Sequence, residues 1–198
     1  MAKFMKFAAV VLAVAAMPSA AFAHTDVTSG GFAYGFAHPW SGPDHVLAMV
    51  MVGLLAFQLG GRALWLVPAT FITVMALGGG LGVAGVAVPF AELGIALSVI
   101  VLGAVAALGI KAPVAAAMGL VGLFAVFHGY AHGAEMPAVA DGLTYGGGFV
   151  LATALLHGAG IGLGYGLGVA SKRYGAMMSR AAGGMAAVAG VGILTGVL

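Results

Sequence analysis

Most of this chain beyond residue 42 consists of apolar stretches that are about as long as a lipid bilayer is thick. Each holds roughly 20 residues, the number that a helix needs to cross about 30 Å of hydrocarbon. Six such stretches occur, at about 43–60, 63–85, 90–110, 112–131, 143–169 and 176–198. Only 6% of the 198 residues are charged, whereas soluble domains carry about 25%. The pattern predicts an all-α integral membrane protein with six transmembrane helices.

The first 23 residues have the features of a secretory signal peptide. Two lysines precede an apolar stretch that is too short to span a bilayer, and Ala21-Phe22-Ala23 matches the small-x-small cleavage pattern. We therefore expect residues 1–23 to be removed and residues 24–198 to form one transmembrane domain. An uncleaved first helix is the alternative.

The charged residues divide between the two ends of the predicted spans. Counted from an external mature N-terminus, the basic residues beyond the signal peptide fall at the cytoplasmic breaks: Arg62, Lys111, Lys172, Arg173 and Arg180. This agrees with the positive-inside rule. The acidic residues fall at the opposite end: Asp26, Asp44, Glu92, Glu135 and Asp141. We therefore expect a multi-pass protein of the bacterial inner membrane, with a periplasmic N-terminus and an outer mouth that attracts cations.

The start of the first span carries the strongest chemical signal. The octapeptide HPWSGPDH places His38, Asp44 and His45 at the doorway of an apolar segment. Ionisable groups are costly in hydrocarbon, so groups in this position usually face a partner, a cavity or an ion.

The outer end of the fourth span holds a second group of candidate ligands. His128 and His132 are four residues apart, so both project from one helical face, and Glu135 shares that face if the helix continues. Imidazoles with carboxylate partners suit Ni²⁺, Co²⁺ or Zn²⁺, whereas Mg²⁺ and Ca²⁺ prefer oxygen ligands. The chain has no cysteine, so a thiolate site is excluded.

Three further residues are candidate ligands. Glu92 opens the third span, and His157 lies about 14 residues into the fifth, which is ~21 Å along its axis and near mid-membrane. His157 could instead be a core histidine that hydrogen-bonds to a neighbouring helix. If cleavage follows Ala23, the amine and imidazole of His24 could chelate a metal together; otherwise His24 is a surface residue.

These motifs resemble the HupE/UreJ family of bacterial nickel, and sometimes cobalt, permeases. Residues 38–49 match a signature similar to His-Pro-x-x-Gly-x-Asp-His-x-Leu-Ala-Met, and residues 92–98, 127–137 and 156–160 also resemble family motifs. The resemblance covers nearly the whole mature chain. It implies a cleaved signal peptide, six spans and transport of Ni²⁺ or Co²⁺, which often supplies hydrogenase or urease maturation.

The leading hypothesis is therefore a secondary permease for uptake of a divalent metal ion. Ni²⁺ is the first expectation and Co²⁺ the second, as transported substrate rather than cofactor. The candidate ligands would act from outside inward: His38, Asp44 and His45, then His128, His132 and Glu135, then Glu92 and His157. Asp26 and Asp141 would raise the cation concentration at the mouth. The energy coupling stays open.

A proton-relay channel or transporter that uses the same residues is the alternative, because chains of histidines and carboxylates also move protons in membranes. A third class, an intramembrane hydrolase, lacks its motifs. The chain has no H-E-x-x-H, and Ser41 is not in a G-x-S-x-G setting. We therefore expect no enzymatic activity.

The expected partners are a divalent metal ion and the lipid bilayer, and no nucleic acid. The fifth span has glycine at every second position over residues 158–168, which forms two rows at i, i+4 spacing. Such rows are typical of close helix contacts. They could lie within one chain or between the copies of a homo-oligomer.

Overall fold

The computed structural model describes residues 31–137, 140–171 and 173–198, and over these residues it contains α-helices and no strand. The predicted signal peptide and His24 lie outside the described residues. The helices are α1 (Gly31–Ala37), α2 (Pro43–Leu59), α3 (Ala63–Val83), α4 (Ala91–Leu108), α5 (Val114–Ala134), α6 (Gly142–Ala170) and α7 (Gly175–Leu194). A 3₁₀ turn over His38–Trp40 joins α1 to α2.

The six predicted stretches correspond to α2 to α7, with boundaries that agree within a few residues. Five of these helices, α3 to α7, are long and apolar enough to cross a membrane. Helix α2 has 17 residues, about 25 Å at 1.5 Å per residue, and is shorter than a bilayer core. It qualifies only together with α1 and the 3₁₀ turn, from which it is bent by 82°. The all-helical prediction is confirmed, and a sixth span depends on counting this bent pair as one.

Glycine and an aspartate set several helix ends. Gly60 and Gly61 follow α2 with φ of +68° and +52°, and Gly109 follows α4 with φ of +63°. A left-handed glycine at this position commonly ends a helix. Asp141 caps α6, since its carboxylate accepts a hydrogen bond of 3.0 Å from the Thr144 amide. One residue expected at the cation-attracting mouth thus also has a structural role.

The helices alternate in direction, and their charged residues collect at two ends of the bundle. The end where α2, α4 and α6 finish, here called the basic end, holds Arg62, Lys111, Arg173 and Arg180. The opposite end, here called the acidic end, holds Asp44, Glu92, Glu135 and Asp141. Near the basic end, the Gln58 amide donates hydrogen bonds to the Ala106 carbonyl (3.2 Å) and to Ser179 Oγ (3.0 Å). These bonds tie α2, α4 and α7 together.

Glycine brings neighbouring helix backbones into direct contact. A Cβ atom at Gly129 of α5 would overlap the Met75 carbonyl oxygen of α3. A Cβ atom at Gly53 of α2 would overlap the His157 carbonyl oxygen of α6, and Gly160 faces Gly53 across the same contact. Small residues let helices in a membrane approach this closely. The two contacts therefore set the positions of α5 and α6, which carry three of the predicted ligands.

The two glycine rows of the fifth span differ in their surroundings. Gly160 and Gly164 face α2, where added Cβ atoms would overlap the backbone near Val50 and the ring of Phe57. Added Cβ atoms on the other row would meet nothing within 4 Å among the described residues; this row is Gly158, Gly162 and Gly166. The close-contact interpretation therefore holds within the chain for Gly160 and Gly164, whereas an added Cβ at Gly168 of the same row would meet nothing within 4 Å among the described residues.

The contact at Gly129 makes a prediction about stability. Gly129→Ala adds one methyl group against the backbone of α3, so we expect it to push α3 and α5 apart. The thermal unfolding midpoint in detergent should fall by several degrees, as for overpacked cores. Gly119→Ala is the matched control on the same helix, because its added Cβ would meet nothing within 4 Å. Equal midpoints for the two variants would contradict the role given to this contact.

Candidate metal site

Four histidines form a row that starts at the acidic end and runs into the bundle. His38 lies in the 3₁₀ turn, His45 in the first turn of α2, and His128 and His132 on one face of α5. The ring centroids are 4.7 Å apart for His38 and His132, 4.4 Å for His132 and His45, and 4.9 Å for His45 and His128. We call this set the imidazole row. The structure thus brings together four predicted ligands from three segments of the chain.

The outermost part of the imidazole row includes a carboxylate. His38 Nε2 lies 3.1 Å from Glu135 Oε2, and the Glu135 side chain is 55% exposed. Ligand atoms of His38, His132 and Glu135 all lie within 4.8 Å of one another. Two imidazoles and one carboxylate at this separation form a site that can hold a first-row divalent metal after small side-chain movements. Solvent reaches this position through Glu135.

Asp44 orients the ring of His45. Asp44 Oδ1 lies 2.8 Å from His45 Nδ1, and a carboxylate can only accept, so Nδ1 carries the proton and donates it. The lone pair of His45 is then on Nε2, which is buried and has no hydrogen-bond partner among the described residues. A histidine held by a carboxylate through its other nitrogen is the usual arrangement of a metal-binding imidazole.

Gly42 makes room for this pair, a role that the sequence analysis did not assign. A Cβ atom at Gly42 would lie 2.6 Å from Asp44 Oδ1 and 3.0 Å from His45 Nδ1. Any larger residue would therefore displace the carboxylate or the ring. This position of the octapeptide therefore needs a glycine, and the sequence alone gives no indication of the reason.

Ser98 of α4 orients His128 in a similar way and was also missed as a functional residue. Its hydroxyl donates to the Ile95 carbonyl at 2.6 Å and lies 2.9 Å from His128 Nε2. A hydroxyl has one proton, so Ser98 Oγ accepts from His128 Nε2–H. This leaves the lone pair on Nδ1, which is buried without a hydrogen-bond partner in the described part of the chain. The sequence feature that could have identified Ser98 is that it carries the one hydroxyl in a span that is apolar after Glu92.

His132 occupies the middle of the imidazole row. Its ring touches that of Phe149 on α6, with centroids 4.0 Å apart, and the residue is 4% exposed. Neither ring nitrogen has a hydrogen-bond partner within the described segments. Buried polar groups are normally paired, so His45, His128 and His132 together present an uncommon concentration of unsatisfied acceptors.

The remaining predicted ligands stand apart from the imidazole row. His157 on α6 is buried, and the ring of Phe71 contacts both His157 and His128, at centroid distances of 5.2 and 5.5 Å. Glu92 is exposed in the first turn of α4 and is not part of the His38, His132 and Glu135 cluster. The structure therefore does not bring Glu92 together with the other carboxylates.

A cavity of about 720 Å³ adjoins the imidazole row between α3, α5 and α6. His132, Asp141 and Tyr145 supply its ionisable side chains, and most of its wall is glycine and apolar residues. His132 therefore borders both the imidazole row and this cavity.

Comparisons with known proteins agree with the resemblance seen in the sequence. Residues 12–193 match the family described as HupE / UreJ protein. The chain is also 46% identical over 188 residues to "Protein HupE" of Rhizobium leguminosarum bv. viciae, which covers 93% of this chain and 95% of that protein. No solved structure matches the chain significantly. Because the family match and the relative both span nearly the whole sequence, this chain belongs to the HupE/UreJ family.

Proposed function

We propose that this protein carries a divalent transition-metal ion, Ni²⁺ or Co²⁺, into the cell along the imidazole row. The single observation that carries the proposal is the close succession of the His45, His128 and His132 rings, whose buried nitrogens include several without a hydrogen-bond partner among the described residues. Leaving buried acceptors unpaired is unfavourable, and a bound cation would satisfy several at once. The family membership supports the same conclusion.

The acidic end would face the periplasm and the basic end the cytoplasm, as the positive-inside rule favours. An ion would first meet Glu135, His38 and His132, where a half-exposed carboxylate is available to a hydrated cation. Negative charge at such a mouth raises the local cation concentration. This arrangement accounts for acidic residues at one end of the bundle only.

From the mouth, the ion would move along the row by exchanging one ligand for the next. Neighbouring ring centroids are less than 5 Å apart, so His132 can serve both the outer group and His45. Transport requires sites strong enough to replace water yet weak enough to release the ion. Neutral imidazoles with few carboxylates meet that requirement better than thiolates.

The central histidine provides the first test. We expect His132→Ala to reduce uptake of radiolabelled Ni²⁺ and Co²⁺ into proteoliposomes to the level of empty vesicles, because it removes the ligand shared by both halves of the row. Thr195→Ala is the control, since among the described residues its hydroxyl bonds only to carbonyls in the last turn of α7, which it follows. Normal metal uptake by His132→Ala, with proton flux lost in a pH-dye assay, would favour the proton relay instead.

Ser98 provides a test of ligand orientation. Ser98→Ala removes the acceptor that holds the His128 proton on Nε2, so the lone pair would no longer be fixed on Nδ1. Loss of such a supporting partner typically lowers metal affinity by about 10- to 100-fold. Calorimetric titration of the purified protein with Ni²⁺ measures the effect, with Thr195→Ala again as the control. An unchanged Kd would show that the Ser98 bond does not orient a ligand.

The pH dependence of uptake tests ligation by histidine as such. A protonated imidazole has no lone pair, so binding is complete at high pH and is lost as pH falls. Because protons compete with the metal ion for these lone pairs, we expect uptake to decline as the external pH is lowered from 7.5 to 5. Uptake should recover when the vesicles are returned to pH 7.5. Constant uptake between pH 7.5 and 5 would remove histidine ligation from the proposal.

A further inference from the structure

The imidazole row ends at an aromatic ring. Phe71 of α3 is completely buried, and its ring contacts His128 at the inner end of the row and His157 beyond it. The two rings of Phe71 and His157 meet edge to face at 89°. Neither nitrogen of His157 has a hydrogen-bond partner among the residues described. His157 is therefore a ligand-type side chain separated from the row by a residue that offers no lone pair.

The side chains of the core cluster that packs around this ring are apolar. Leu54, Val67 and Leu102 pack with Phe71 in one buried cluster. Helix α2 has no polar side chain between His45 and Gln58, and α4 has none after Ser98. A divalent ion in such surroundings loses its hydration without gaining ligands, so hydrophobic constrictions of this kind block conduction. In the described conformation the cavity beside the row reaches His132, and His128 is fully buried behind it.

Helix α3 contains a feature that allows the Phe71 ring to move. Pro68 lies one turn before Phe71, and without an amide proton it cannot bond to the Leu64 carbonyl. Proline is a common site of helix bending. The other half of α3 is held against α5 by the close contact at Gly129. Phe71 lies between Pro68 and this contact, so bending at Pro68 would shift residues 63–67, including Val67 of the same cluster, and give the Phe71 ring room to rotate without separating α3 from α5.

We propose that Phe71 is the gate of this protein, a movable apolar barrier between the imidazole row and His157. The inference rests on the proposed metal transport. It makes Phe71 a residue that blocks or admits ions and does not bind them. An ion at His128 can reach His157 only when the Phe71 ring moves aside. The ring thus prevents continuous leakage along a line of ligands that begins at the exposed Glu135.

Cysteine accessibility tests the barrier directly, because the natural chain contains no cysteine and a single introduced thiol is the only one present. His157→Cys places that thiol behind the ring, and Ser98→Cys places one in front of it. Ag⁺, a cation that binds thiols, is applied briefly to intact cells from the periplasmic side. The protein is then purified and denatured, and the thiols that remain free are counted by maleimide labelling and mass spectrometry.

We expect Ser98→Cys to react with Ag⁺ whether or not Phe71 is present. His157→Cys should be protected when Phe71 is intact. In combination with Phe71→Ala it should react about ten-fold faster or more, since the rate follows the fraction of time for which the path is open. Phe71→Leu should keep His157→Cys protected because it retains apolar bulk. If Phe71→Ala does not fold, Phe71→Val is used instead. Its side chain is intermediate in size, so His157→Cys should react with Ag⁺ at an intermediate rate.

Phe124→Ala is the matched control, because Phe124 is a buried phenylalanine of the same cluster. If Phe124→Ala exposes His157→Cys as strongly as Phe71→Ala does, the effect is general loosening of the core and the gate is overturned. Equal reaction of His157→Cys and Ser98→Cys with Phe71 intact would also overturn it. These outcomes do not use Ni²⁺ or Co²⁺ uptake, so failure of the gate and failure of the proposed transport are separately visible.

A second measurement uses proteoliposomes loaded with a fluorescent chelator. Phe71→Ala should allow entry of Mn²⁺ at a rate several-fold above that of the natural chain. Mn²⁺ has a weaker affinity for imidazole, and without the ring it is no longer stopped at the inner end of the row. Phe124→Ala should leave Mn²⁺ entry unchanged. Unaltered discrimination between Ni²⁺ and Mn²⁺ in Phe71→Ala would contradict a selectivity role for the ring.

Discussion

Direct contact between helix backbones at glycine is the interaction on which this structure depends. Side chains of ordinary size would hold α3 away from α5 and α2 away from α6, and the histidines of α2, α5 and α6 would then change their relative positions. In a bilayer the hydrophobic effect does not drive helices together, so close packing contributes much of the association. Glycine at Gly129, Gly53 and Gly160 makes this approach sterically available. The geometry of the candidate site therefore depends on glycines, which have no side chain at these helix contacts.

The close approach brings imidazoles together, and two neighbouring residues then decide which nitrogen is free. Asp44 holds the proton of His45 on Nδ1, and Ser98 holds that of His128 on Nε2. The free lone pairs are consequently on Nε2 of one ring and Nδ1 of the other. Without these partners each ring could exchange tautomers, and the free nitrogens would be presented only part of the time. A fixed set of acceptors is favourable for a cation and unfavourable in its absence, which suits a site that is filled transiently.

The sequence predicted the helical architecture well because hydrophobic length is a strong local signal. It also predicted one common site for the histidines and carboxylates, since ionisable groups in apolar spans need a polar environment. The structure brings His38, His45, His128 and His132 together in this way. The sequence predicted neither the bend of 82° before α2 nor the roles of Gly42, Ser98 and Phe71. Those roles arise from contacts between segments far apart in the chain. Phe71 is one of many apolar residues, and no nearby sequence feature distinguishes the proposed gate from an ordinary core residue.

The carboxylates were harder to place than the histidines. Glu92 was expected to pass the ion inward, yet it lies exposed at the start of α4, outside the cluster of His38, His132 and Glu135. Asp141, expected only at the mouth, caps α6 and also borders the cavity next to His132. A carboxylate at a helix start serves capping as readily as ion attraction, and sequence position does not separate these two uses.

The uneven distribution of polar groups along the bundle has an electrical consequence. His128 lies six residues before the end of α5, about 9 Å inside the acidic end, and the core cluster around Phe71 is apolar. In the proposed orientation, a membrane voltage would fall mostly across this region of lowest polarity. A doubly charged ion that crosses the full voltage gains about 4.6 kcal/mol per 100 mV. Most of that energy would be released in the single step past the apolar cluster around Phe71.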